Sequence, residues 1–296
     1  TSPYTGTYQS DINLTAAELA AYMEITPWVN GFMTISYDDT PVADGPGRVE
    51  NSRFFLDKGF ITIGDLNKSP LYGTIGQQYV PFGRFSHVTI SSPLTEYLGR
   101  TKVRSALFGF HPNKPMAPYA EVFAFRGATN VNGKLQVNEG GADAGFAFKA
   151  GSLVSGDIGL SAISTVSDAQ GMLDTGNTAT TSVTLSGASA ATNETFGGFN
   201  SNGNSKLQHR VPALDLHGHL GIGPVTFVGD YLNTLRPFSK DDLDFRGRSA
   251  HVSSGYLEAD YGVNNLFMGR PATFALSYST TRQASGLNLP KNRYMA

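Results

Sequence analysis

The sequence lacks several features that define whole classes of protein. It has no cysteine, which excludes a fold held by disulfide bonds and is consistent with a bacterial envelope protein. It has no apolar run approaching the roughly 18–20 residues of a membrane-spanning helix, which excludes an α-helical membrane protein. The formal net charge of -2 argues against a nucleic-acid-binding protein, which would normally carry a basic stripe. A signal peptide is also missing, which predicts a mature or trimmed chain.

Glycine and aromatic residues are abundant instead. The 296 residues include 34 glycines, and aromatic residues make up 11% of the chain. A slightly polar average combined with many Gly, Tyr and Phe residues is usual for outer-membrane barrels, whose lumen faces are polar. The length is sufficient for one large β-domain or for two ordinary ones.

The stretch 54–110 shows a strand pattern most clearly. Two β-rich runs, 54–66 and 71–79, are joined by a tight Asn/Ser/Pro turn, and the longer excursion 81–100 leads to the run 102–110. Side chains alternate between the two faces of a strand, and neither face of 71–79 is strongly charged. This weak contrast is typical of a transmembrane barrel strand with one face to lipid and one to a wet lumen. A hairpin of a soluble β-sandwich fits this window equally well.

The same pattern predicts roughly twelve strands along the chain. The first would contain a bulge near Thr15–Ala17, unless the run 15–23 forms a short helix after an N-cap threonine. The residues before 11 and after 282 are predicted as loop. The predicted strands are Ile12–Ile25, Trp28–Asp38, 54–66, Leu71–Tyr79, Lys102–Phe110, Tyr119–Arg126, Asp143–Ala150, Val154–Val166, His209–Ile222, Val225–Leu235, His251–Val263 and Thr273–Arg282.

Short and long connections alternate between these strands. Short turns lie near residues 26, 68, 113, 152, 223 and 267, and the long connections are 39–50, 81–101, 127–141, 167–208 and 236–250. Outer-membrane barrels separate short periplasmic turns from long outer loops in this way, whereas soluble sandwiches have no reason to do so. The alternation therefore predicts an all-β fold, a transmembrane antiparallel β-barrel, with residues 1–296 as a single domain. The alternative is a soluble two-domain β-protein.

The barrel prediction has consequences for one loop and for the two ends of the chain. The connection 167–208, rich in Ser, Thr, Ala, Gly and Asn, would be a long extracellular loop; in a two-domain protein it would be a flexible linker. If the short turns are periplasmic, residues 1 and 296 would both lie on the extracellular side of the membrane. Single-chain barrels normally begin and end in the periplasm, so we expect strands to be missing at both ends. The complete barrel would have at least 14 strands, with 16 favoured, and an aqueous lumen.

Three segments resemble the LbtU-type siderophore porins of intracellular gammaproteobacteria. They are LDKGFITIGDLNKSPLYGTIGQQYVPFGRF at 56–85, SSPLTEYLGRT at 91–101 and PWVNGFMTISYDD at 27–39, and the likeness is densest over residues 12–110. The resemblance implies a bacterial outer-membrane protein that takes up a ferric siderophore or iron without cofactor or N-terminal plug. Its partners would be outer-membrane lipid, lipopolysaccharide and a small iron complex. A general porin, one selective for anions or sugars, and a structural or adhesive barrel that displays its loops are the alternatives.

Charged residues within barrel strands should point into the lumen, because a lipid-facing Arg or Lys costs about 2–4 kcal/mol at the bilayer midplane. Arg84 and Arg100 bracket the 81–101 connection. With Lys102 and Arg104 they form a candidate anion-attracting patch, since a guanidinium donates two parallel hydrogen bonds to a carboxylate. Alternatively these cations pair with acids across the lumen and hold its shape. The predicted lumen residues within strands are Arg104, Glu121, Lys149, Asp157, Asp215, Asp230, Glu258 and Asp260.

No catalytic constellation stands out, so we expect no enzyme activity. The G-x-S-x-G elbow is missing, and no Ser, His and acid spacing fits a hydrolase. His217 and His219 share a strand face and are weak candidates to bind one metal ion, although two polar lumen residues are the simpler interpretation. The run of Asp241, Asp242 and Asp244 lacks the spacing of an EF-hand and is interpreted as part of a solvated loop.

Overall fold

The protein is mostly β-structure. A computed structural model describes residues 16–39, 52–131, 136–175, 206–267 and 270–296. In chain order its elements are β1 (Ala16–Thr26), β2 (Val29–Asp39), β3 (Ser52–Ile63), β4 (Leu71–Tyr79), α1 (Leu94–Gly99), β5 (Lys102–Phe110), β6 (Met116–Phe125), β7 (Asn130–Val131), β8 (Glu139–Ala150), β9 (Val154–Ile163), α2 (Gln170–Thr175), β10 (Lys206–Leu207), β11 (Ala213–Ile222), β12 (Val225–Thr234), β13 (Asp244–Phe245), β14 (Arg248–Ser249), β15 (Ser253–Phe267), β16 (Arg270–Arg282), a 3₁₀ turn (Ser285–Leu287) and β17 (Asn292–Met295).

Thirteen of these strands form one antiparallel sheet in which each strand pairs with its neighbours in the order of the chain. The remaining four strands make two small pairs, β7 with β10 and β13 with β14. Within the described residues, β1 pairs with β2 alone and β17 with β16 alone. No helix in this part of the chain is long and apolar enough to cross a membrane.

Every predicted strand coincides with a strand of the sheet, and the bounds of β4 and β5 are those predicted. The helix considered for 15–23 is wrong, because residues from Ala16 onward pair with β2. That pairing is continuous from Ala16 to Glu24, so the described part of the expected bulge is not there; the register shifts between Glu24 and Thr26 instead. The prediction of loop after residue 282 missed β17. Residues 1–15 and 40–51, and most of the 167–208 connection, lie outside the described residues.

The strand bounds confirm the alternation of short and long connections. Because neighbouring strands are antiparallel, the turns at 64–70, 111–115, 151–153 and 223–224 all lie at one end of the sheet. We call this the short-turn end. The connections 80–101, 126–138, 164–212, 235–252 and 283–291 lie at the other end, the long-loop end.

The two faces of the sheet have the reverse of the usual polarity. Ile75, Leu257 and Leu276 are 61–66% exposed, whereas neighbouring residues on the other face, such as Glu258 and Ser277, are each 3% exposed. Alternation along each strand segregates the two sets, so that one face is apolar and exposed and the other is polar and covered. In a water-soluble sandwich the buried face would carry the apolar residues.

A separate hydrophobic core lies at the long-loop end. Its members come from strand ends and from the described parts of the long connections, and their side chains pack against one another. The described ends of the 164–212 connection contribute Val166, Met172 and Val211, all fully buried. The core therefore fixes the long connections above the polar face.

Candidate functional site

Residues 80–101, which we call the inward segment, lie against the polar face of the sheet. The segment leaves the end of β4, reaches mid-sheet and returns through α1 to β5. The backbone N–H of Gly83 donates to Oγ of Ser161 on β9 at 2.8 Å, and α1 contacts β12, β15 and β16. The long connection predicted for residues 81–101 thus lies against the polar face of the sheet.

Two buried carboxylates hold the inward segment by its backbone. Glu258 on β15 is 3% exposed and accepts hydrogen bonds from the N–H groups of Val88 at 2.8 Å and Thr89 at 3.3 Å. The same carboxylate accepts the hydroxyl of Tyr256 at 2.6 Å. Hydrogen bonds to a charged acceptor are stronger than neutral ones, so Glu258 is a firm anchor.

Asp230 on β12 is the second anchor. Its Oδ1 accepts the N–H groups of Arg84 at 3.4 Å and Phe85 at 3.3 Å. Both bonds are longer than the 2.8 Å bond from Val88 to Glu258 and are therefore weaker than that one. Both acids were predicted to face the lumen, and both lie on the polar face. Their role as anchors for a distant backbone was not predicted.

The predicted cations Arg84 and Arg100 line one cavity of about 420 Å³, together with Tyr79, His87 and Glu96. The Arg84 guanidinium lies 5.0 Å from the Tyr119 ring and 3.2 Å from an Oδ atom of Asp157. Arg100 is paired with Glu96 in α1 and lies 4.0 Å from the Tyr79 ring. The two arginines therefore line the same cavity, and each also has an acidic partner.

Lys102 and Arg104 differ from each other although both belong to β5. Lys102 forms an ion pair with Asp57 on β3. Asp57 lies at a register shift, between the residue of β3 that pairs with Thr34 and the one that pairs with Ile35. Arg104 is exposed and lies on the same face as Ala106 and Phe108, which is the apolar face. The prediction of an inward-facing Arg104 therefore departs from the structure. Arg104 is two residues from the start of β5, near the long-loop end of that strand.

On the polar face, two tyrosine side chains lie across glycines of nearby strands. Tyr72 on β4 lies over Gly109 on β5, and its hydroxyl donates to Glu121 on β6. This places Glu121 on the predicted face with a specific partner. A side chain at Gly109 would collide with the tyrosine ring, because a Cβ there would come within 2.3 Å of Cζ.

Tyr119 on β6 repeats this arrangement over a longer span. It lies across Gly145 and Gly159, and its hydroxyl is 3.2 Å from Nε2 of His217 on β11. Sequence analysis did not identify either tyrosine, nor the buried acids Asp57, Glu96 and Asp143. The sequence does contain a signal for these tyrosines, which is a glycine at the position on the neighbouring strand that the ring covers. This position can be identified only when the register between the strands is known.

The two candidate metal-ligating histidines have separate carboxylate partners. Nδ1 of His217 is 3.3 Å from Asp215 and its Nε2 is 3.5 Å from Asp143, whereas Nδ1 of His219 is 3.0 Å from Asp157. In the described ranges, no three His, Cys, Asp or Glu side chains are grouped as a metal ion would require. Both histidines therefore lie beside carboxylates of nearby strands.

Acidic groups at the long-loop end serve as hydrogen-bond acceptors. Asp242 accepts the N–H of Gln208 at 3.0 Å and Asp244 accepts that of Gly247 at 2.9 Å, so this acidic run caps turns. Asp168, 1% exposed, accepts the N–H of Thr129 at 2.8 Å. Burial raises the pKa of Asp168 to about 6, and the hydrogen bond from Thr129 opposes part of that rise.

Proteins of similar sequence occur in Coxiella burnetii and Legionella pneumophila. The chain is 36% identical over 294 residues to a UPF0422 protein of Coxiella burnetii, which is 99% of this chain and 56% of that relative. It is 38% identical over 287 residues to the UPF0422 protein lpl2888 of Legionella pneumophila strain Lens, which is 96% of this chain and 50% of that relative. The chain is homologous to these UPF0422 proteins.

The homology covers nearly the whole of this chain, but the chain spans about half the length of the curated relatives it matches. No protein-family profile matches it. The names of the UPF0422 relatives state no activity, so the function is argued from the geometry of the polar face and the inward segment.

Proposed function

We propose that the sheet forms part of the wall of a transmembrane β-barrel in the outer membrane of a Gram-negative bacterium, and that small solutes pass through its lumen. The reversed polarity of the two faces carries this proposal. An apolar exposed face suits contact with lipid chains, and a polar covered face suits a wet lumen. Strands of 9–13 residues, such as β4 and β16, agree with the roughly 9–11 residues that a tilted membrane-spanning strand needs.

The inward segment would narrow this lumen. It is fixed to β9, β12 and β15 by hydrogen bonds and contains the helix α1, so it is an ordered element on the polar face. In this arrangement a solute would pass beside the cavity that holds Arg84 and Arg100. Passage would involve no covalent chemistry.

We further propose an iron complex as the solute, such as a ferric carboxylate siderophore. Two observations support this choice. Residues 12–110, which include the inward segment, resemble the LbtU-type siderophore porins, and the two guanidiniums at the cavity are suited to carboxylates. Each guanidinium is 38–43% exposed despite its acidic partner, which leaves donor groups for a ligand.

Uptake of radioactive iron tests this function. Iron-starved cells that lack the gene would carry the full-length protein, either unchanged or with Arg84→Ala and Arg100→Ala together, and would receive iron on a carboxylate siderophore or as a ferrous salt. We expect the double variant to lose siderophore-dependent uptake. Arg104→Ala is the matched control, since Arg104 is exposed on the apolar face, away from the cavity. Equal uptake by all three proteins, at equal levels of folded barrel, would remove the role of the two arginines. Uptake that does not depend on the gene in either form of iron would remove the iron-complex proposal.

A barrel that displays its loops is the second candidate. The observation that favours it is the hydrophobic core at the long-loop end, which holds the long connections together above the lumen. Planar-bilayer recordings of the full-length protein separate the two. Stepwise conductance supports a porin, including a general, anion-selective or sugar-selective one, whereas a folded barrel without conductance supports the display function.

A further inference from the structure

A second cavity of about 450 Å³ also lies along the inward segment and shares Ser86 and His87 with the arginine cavity. Residues 86–88 of the segment form one wall, and β11, β12, β15 and β16 form the rest. Pro224 and Gly262 also line the cavity and lie next to the short turns, so the cavity faces the short-turn end.

A buried carboxylate without a hydrogen-bond partner lines this cavity. Asp260 on β15 is 6% exposed, and its Oδ1 accepts no hydrogen bond from any residue that the structure describes. A buried charged group left in this condition is costly, which indicates that a ligand or ordered water completes its coordination.

The surroundings of Asp260 are acidic. Glu258 lies two residues earlier on the same strand face, about 6.6 Å away from the rise of a β-strand. His219 also lines the cavity, but its Nδ1 is engaged by Asp157. None of the described lining residues is a lysine or an arginine, in contrast to the cavity of Arg84 and Arg100.

We propose that this chamber binds a hard divalent cation of the Mg²⁺ or Mn²⁺ type. Asp260 would be its direct ligand, with Glu258 and the hydroxyl of Thr226 within the same chamber. Since the described residues hold no chelating group of three, the ion keeps several of its waters, which is how Mg²⁺ is usually bound by one or two carboxylates. The inference rests on the cavity and on Asp260, and it does not depend on what the lumen transports.

Mn²⁺ binding to the purified full-length protein in detergent tests the proposal. The electron paramagnetic resonance signal of free Mn²⁺ falls when the ion is bound, which gives a stoichiometry and a dissociation constant. We expect one site that Mg²⁺ competes for and that Asp260→Asn weakens at least tenfold. Asp241→Asn is the matched control, because Asp241 is an exposed acid at the long-loop end. Unchanged affinity in Asp260→Asn, or no saturable site in the unsubstituted protein, would overturn the proposal.

A measurement on the unsubstituted protein covers the case in which Asp260→Asn does not fold. Bound Mn²⁺ should broaden the amide resonances of Thr226 and Gly262, which line the chamber, at concentrations that leave Gly247 at the long-loop end sharp. Uniform broadening would contradict a site in the chamber. Because both experiments use purified protein, their failure is distinguishable from a failure of iron uptake in cells.

Discussion

Removal of the Glu258 carboxylate should release the inward segment from the sheet. Glu258→Ala eliminates the acceptor of two backbone N–H groups, one at 2.8 Å and one at 3.3 Å. A hydrogen bond to a charged group contributes about 1.5–3 kcal/mol, and the longer bond lies below that range, so the variant should lose about 2–4 kcal/mol of local stability. At 1.4 kcal/mol for each factor of ten, the open form of the segment should become roughly two orders of magnitude more populated.

Hydrogen exchange followed by mass spectrometry measures this population. In Glu258→Ala the amides of residues 86–92 should exchange about a hundredfold faster, while those of β11 and β12 keep their protection. Asp260→Asn is the control on the same strand and face, because Oδ1 of Asp260 accepts no hydrogen bond from the segment. Equal protection of 86–92 in Glu258→Ala and in the unsubstituted protein would refute the role of Glu258 as an anchor. Global loss of protection would show instead that Glu258 stabilises the whole sheet.

Three further predictions concern packing, pH and lipid contact. Gly159→Ala should destabilise the protein by about 1–3 kcal/mol, because the new Cβ would lie 2.3 Å from the Tyr119 hydroxyl. The loss should shrink in a Tyr119→Ala background; a double-mutant cycle with no coupling would contradict the contact. Because burial raises the pKa of Asp168 from 3.8 to about 6 in the folded state, stability should fall by about 3 kcal/mol in total as the pH rises from about 3 to about 7. Asp168→Asn should abolish that slope in denaturant titrations, and a slope that persists would assign it to another group. Leu257→Arg should cost about 2–4 kcal/mol in lipid vesicles if its face meets lipid, whereas Leu235→Arg in a long connection should cost little. Equal costs would argue against a lipid-facing sheet.

The strands were predictable because their signals are local. The alternating side chains of 71–79 and the turn residues before and after them define β4 without reference to the rest of the chain. The succession of short and long connections likewise follows from strand bounds alone. A thirteenth strand, β17, was missed because Asn292–Met295 offers too few residues for a periodic pattern, and it forms through its pairing with β16.

The contacts of the site, in contrast, join residues that are far apart in the sequence. Asp230 meets the backbone of Phe85, 145 residues away, and Tyr119 meets His217, 98 residues away. Residue type places such groups on the polar face, but no local pattern gives the register that brings one particular pair into contact. The pair of Arg84 with Asp157 likewise depends on where residues 80–101 run, whereas Arg100 and Glu96 are four residues apart in α1.

What the sequence determined by itself is the existence of the strands, their order in a meander, and the segregation of charged from apolar side chains along most of them. The period of two is a property of the chain, so it is readable residue by residue. The tertiary structure alone decided which face is covered, where residues 80–101 run, and that Arg104 lies on the apolar face near a strand end. These features depend on register, on strand twist and on packing between distant segments, which the local sequence does not encode.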